Sequence, residues 1–143
     1  MYKRQVLVGA LVETGVIKVL AAEAIKLTNG SVNATAMLIL WMSAFASAFI
    51  DNIPFVATLI PLIQDMGQMG LSNLDPMWWS LALGACLGGN GTLIGASANV
   101  VVASMAAQRG KQISFLGFMK IAFPIMIMTI AVSSVYVWLR YLL

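Results

Sequence analysis

The residues able to do chemistry in this chain are few, and they sit in apolar surroundings. Asp51, with Asn52 beside it and Pro54 just beyond, interrupts the run NATAMLILWMSAFASAFIDNIPFVATLIPLI from Asn33 to Ile63. It is the one acidic residue deep in an apolar arm. A carboxylate in that setting can coordinate Na⁺, or carry a proton once desolvation has raised its pKa. The plainer alternative is that Asp51 caps a returning helix, with Pro54 in its first turn. Ser43, Ser47, Asn52 and Thr58 can add neutral oxygens to such a site or equally serve as helix–helix hydrogen bonds. A second polar set, Asn90, Thr92, Ser97 and Asn99, lies in WWSLALGACLGGNGTLIGASANVVVASMAAQ from Trp78 to Gln108. The glycine pairs Gly84/Gly88 and Gly91/Gly95 have the small-xxx-small spacing of closely packed helices, which accounts for the glycines and leaves the asparagines unexplained.

Several other chemistries are excluded. The chain has no histidine and a single cysteine, Cys86. Disulfide frameworks, Cys/His metal sites and a histidine-activated nucleophile are therefore absent, and Gly95-Ala96-Ser97-Ala98 is no nucleophile turn. Cys86 itself reads as a small buried apolar residue. Gly88 to Thr92 is no phosphate cradle, since it lacks a lysine and a preceding strand. Apolar residues make up 61% of the 143 and charged ones 9%, the composition of a polytopic membrane protein. The net charge of +3 is too dispersed for a nucleic-acid surface.

The elements that must hold these residues follow from length. Some thirty helical residues reach roughly 45 Å, too long for one crossing of a hydrocarbon core about 30 Å thick and too short for two. Residues 33–63 therefore read as a re-entrant helical hairpin, its tip at Ile50 to Pro54 lying at membrane depth, where irregular backbone must be buried in protein or line a wet cavity. Over 77–108, three glycines and an asparagine within Gly88 to Thr92 predict an unwound step. Two arms, Trp78 to Leu87 and Leu93 to Ala107, make that segment a discontinuous helix, with Gly88, Gly89, Gly95 and Pro54 as the structural breaks. Residues 113–143 read as a transmembrane helix with Lys120 snorkelling at one end and Tyr136, Trp138, Arg140 and Tyr141 anchoring the other. Residues 6–13 read as the end of another transmembrane helix. Residues 15–28 read as an amphipathic interfacial helix with Lys18, Glu23 and Lys26 on one side, the alternative being one intact tilted span from Val6 to Leu27 with its charges packed against other helices. Residues 1–5, Met-Tyr-Lys-Arg-Gln, are expected to be a non-native start, and the chain a fragment.

Three stretches resemble the ion transporter superfamily: LVGALVETGVI at Leu7 to Ile17, SAFIDNIPFVATLIPLI at Ser47 to Ile63 and LGACLGGNGTLIGASANVVVA at Leu83 to Ala103. The resemblance is to the branch with a citrate-transporter-like domain that contains arsenite and antimonite pump membrane subunits, the melanosomal P protein and sodium/proton antiporters. It implies an all-α integral membrane fold in which 6–143 is the C-terminal one of two inverted repeats. It also implies that Ser47, Asp51, Asn52, Asn90, Gly91, Thr92, Ser97 and Asn99 line half of an ion or substrate site. The implied activity is secondary active transport by alternating access in the inner membrane of a bacterium, not enzymatic catalysis. No cofactor is implied beyond Na⁺ near Asp51 or H⁺ as coupling ion. Implied partners are the bilayer, a small ion substrate and the missing N-terminal repeat. A homodimer, or a partner ATPase in the arsenite case, stays open. So do two other readings, an arsenite or anion permease and a non-transporting scaffold or truncated relic.

Overall fold

The computed structural model describes residues 16–50, 52–71 and 73–143. The expected helix tail over 6–13, residues 1–5 and Asp51 lie outside them. Among the described residues six α-helices follow in order: α1 (Val16–Leu27), α2 (Val32–Phe49), α3 (Asn52–Gln68), α4 (Asp75–Gly88), α5 (Ser97–Gln108) and α6 (Phe115–Val137). A π-helical turn, Trp138–Leu142, ends α6. No strand occurs among the described residues, and the fold is all-α.

Local chemistry sets the helix ends. Thr28 donates to Ala24 O (2.9 Å) and contacts Thr35 Oγ1 at 2.8 Å, and Asn29 and Gly30 take the positive φ angles that reverse the chain after α1. Ser31 caps α2 by accepting from Ala34 N–H, and Ser114 caps α6 by accepting from Gly117 N–H. Pro76 sits at the start of α4, where its missing N–H costs nothing.

The helix α2 is the axis of the assembly. Residues on two of its faces, from Thr35 and Ala36 to Ser47 and Ala48, are buried. One face joins a cluster of Ile39, Leu62, Ile63, Met66, Leu71, Met77 and Leu81, built with α3 and α4. The other joins Leu40, Ala44, Ala48, Met126 and Ile130, shared with α6. Both α2 and α3 pack more extensively on α4 than on each other. Ala24 and Ile25 of α1 pack against the first cluster, while Glu23 and Lys26, 3.8 Å apart, stay exposed.

Depth is read against α6. Trp41 Nε1 donates to Ser134 Oγ (3.1 Å), the Phe45 and Phe123 rings lie 6.2 Å apart, and Ala48 clusters with Met126. From Trp41 to Phe49 the partners on α6 move back from Ser134 to Met126 and Phe123, so the two helices run antiparallel. Since α6 has 23 residues, about 35 Å long, α2 ends beside its midpoint. Meanwhile α4 starts at the far end, where Trp79 stacks on Tyr141 with centroids 5.9 Å apart.

Candidate functional site

At that midpoint four helix ends meet. The C-termini of α2 and α4 bring carbonyl oxygens, and the N-termini of α3 and α5 bring N–H groups, each end carrying roughly half a charge of the corresponding sign. No side chain caps α5, whose N-cap residue is Ala96.

The contacts that join the ends are specific. Thr92, fully buried, donates its hydroxyl to the Ala48 carbonyl in the last turn of α2 and accepts from Gly95 N–H at 3.1 Å. Asn99, in the first turn of α5, reaches back and donates to Gly89 O (3.1 Å) and Thr92 O (3.0 Å). The segment from Gly89 to Ala96 is thereby held in a non-helical path although Gly89, Gly91, Thr92 and Gly95 within it are buried. This moves the start of the second arm from the expected Leu93 to Ser97: the carbonyls that would have propagated a helix are occupied by the Asn99 amide.

Ser47, also fully buried, touches Asn52 Oδ1 and, at 2.6 Å, the Ala85 carbonyl. It has one proton for two acceptors. When the proton goes to Ala85 O, the Asn52 amide turns its Nδ2 toward the serine and frees its own oxygen. Asn52, the first residue of α3, can thus present either a donor or an acceptor to the site.

Glycine is required where backbones touch. A Cβ on Gly88 would collide with the backbone of Ala44. A Cβ on Gly95 would stand 2.7 Å from Gly89 O, 2.8 Å from Ala48 O and 3.0 Å from Ser47 O. Three carbonyl oxygens from two discontinuous elements therefore converge on one glycine, with Thr92 Oγ1 and Asn52 Oδ1 nearby. Such neutral oxygens are the donors that hard cations prefer. Among the described residues no three His, Cys, Asp or Glu side chains form a metal cluster.

Of the other residues singled out in the sequence, Gly89 follows α4 and is buried, and Gly91 is buried beside Met126 and Ala48. Pro54 falls in the first turn of α3. Asn90 and Ser97 are exposed at the edge of the break. Ser43 lies away from the joint, under Gly84, bonded to its own helix at Leu40 O. Cys86 is exposed rather than buried, because the face of α4 that packs on α2 carries Gly84, Ala85 and Gly88 instead. The carbonyls of Ala48 and Ala85 had no signal in the sequence: an alanine's side chain does not reveal what its backbone oxygen accepts.

A family model described as citrate transporter matches residues 6–142. An uncharacterized transporter of Mycobacterium tuberculosis is 49% identical over 95% of the chain, and a 46 kDa membrane protein of Mycobacterium leprae is 43% identical over 96%. In each case the chain spans 32% of the relative's length. The human P protein is 49% identical over 72% of the chain, which corresponds to 12% of that protein. No solved structure matches.

Proposed function

The chain belongs to the citrate transporter family, which makes it part of a membrane protein, and from that premise we propose that the full-length protein is a multi-pass secondary active ion transporter of the cell membrane. In this reading α2 and α3 form a re-entrant hairpin, α4 and α5 a discontinuous crossing, and the chain supplies one of two inverted repeats. The observation that carries it is the joint of four helix ends beside Met126, midway along a helix long enough to span. Irregular, buried backbone at such a depth is expensive unless it lines a site.

Coupling runs through a cation or a proton. The oxygens of Ser47, Ala48, Gly89, Thr92 and Asn52 suit Na⁺, and Asp51, adjacent in sequence, supplies the negative charge or the titrating group. A second reading, a permease for a carboxylate anion, draws on the uncapped N-terminus of α5, whose N–H groups attract negative charge.

The test is uptake into proteoliposomes by the full-length protein, comparing Na⁺, arsenite and a di- or tricarboxylate with and without a pH gradient. Gradient-driven flux that disappears in Asp51→Asn supports the coupled transporter. Flux in that variant with unaltered Na⁺ and pH dependence rejects Asp51 as the coupling group. No flux of any kind from correctly inserted protein favours the scaffold reading instead.

A further inference from the structure

Between the end of α2 and the first half of α6 lies a groove of about 410 Å³ walled by Phe49, Met119, Phe123 and Pro124, with Lys120 at its edge. Its surface is almost wholly apolar. Lys120 is exposed and makes no ion pair among the described residues. From Arg109 to Lys120, leading into and along the start of α6, the chain carries Arg109, Lys111 and Lys120 and no Asp or Glu.

We infer that the groove binds one anionic phospholipid, its phosphate on Lys120 and an acyl chain against Phe49, Phe123 and Pro124. This rests on the membrane reading of α6. Lys120 lies five residues past Phe115, about 8 Å below the helix start, within the distance a lysine spans by snorkelling to the headgroups. A small multivalent anion would satisfy the ammonium but leave the apolar walls unmatched. A zwitterionic lipid would fill the walls but leave the cation without net opposite charge. The basic turn at Arg109 and Lys111 precedes the same helix end and adds to the attraction.

The full-length protein is taken from vesicles of equal phosphatidylglycerol and phosphatidylcholine, and the lipid it retains is identified by native mass spectrometry. One phosphatidylglycerol is expected on the wild type. Lys120→Ala should lower the ratio of retained phosphatidylglycerol to phosphatidylcholine roughly fivefold, with Lys120→Arg restoring it. Phe123→Ala should release both lipids. An unchanged ratio in Lys120→Ala, or no lipid on the wild type, overturns the site. Retention of all forms in carbonate-washed membranes separates that failure from failure of the membrane reading, in which case the wild type itself would wash off.

Discussion

The two candidate spans differ in a way that composition alone does not anticipate. Within its most apolar window, α2 is 44% buried inside the structure, whereas the more apolar α6 is only 11% buried. Along α2, serines, alanines and a threonine take up the buried positions beside Ile39 and Leu40, and Gly84 and Gly88 of α4 come against its backbone. Along α6, Leu116, Ile121, Met128 and Val132 stand more than half exposed. Within this chain the helix with small polar residues is the core, and the greasier one lies on the outside. That inversion is expected where lipid, not water, is the solvent, because apolar side chains gain little by leaving it and close backbone packing takes over.

The largest effect expected from breaking this contrast is at Gly88. Gly88→Ala drives a methyl into the Ala44 backbone and should cost about 3 kcal/mol, seen as loss of the folded fraction in detergent denaturation. Tolerance of the substitution would mean that α2 and α4 are less closely apposed than they stand here. Next comes Thr92→Val, which keeps the shape but strands the Ala48 carbonyl and the Gly95 N–H. It should cost about 2 kcal/mol and weaken coupled uptake, while Thr92→Ser preserves both. A smaller effect, about 1 kcal/mol, is expected of Ser47→Ala, which also releases the Asn52 amide and should shift the apparent affinity for the coupling cation more than the maximal rate. On the exposed side, Val102→Ala in α5 should change stability by less than about 0.5 kcal/mol. A loss well above that in the full-length protein would show that the remainder of the polypeptide covers α5. The smallest effect is at Ser80, whose hydroxyl is buried without a partner: Ser80→Ala should be neutral or slightly stabilising in the same denaturation measurement.

What could be read without coordinates was whatever a side chain announces. Helix breakers announce themselves, so the glycines from Gly88 to Gly91 pointed to an interruption. Asn99 was visible as a polar residue out of place, though not as the group that holds the interruption open. The Ser47 and Asn52 contact joins two residues five positions apart across a chain reversal, which no helical periodicity indicates. Cys86 went the other way, because whether a small residue is buried depends on which face of α4 the neighbouring helix takes.

By itself the sequence determined the all-helical class, the family and the presence of polar residues inside apolar runs, since these depend on composition, local propensity and motif. The tertiary structure alone decided that the two interruptions meet at one level along α6, that the Ala48 and Ala85 carbonyls receive the Thr92 and Ser47 hydroxyls, and that α2 rather than α6 forms the core of this chain. Those features depend on which backbones approach each other, and backbone groups are identical at every position of a sequence until folding gives them neighbours.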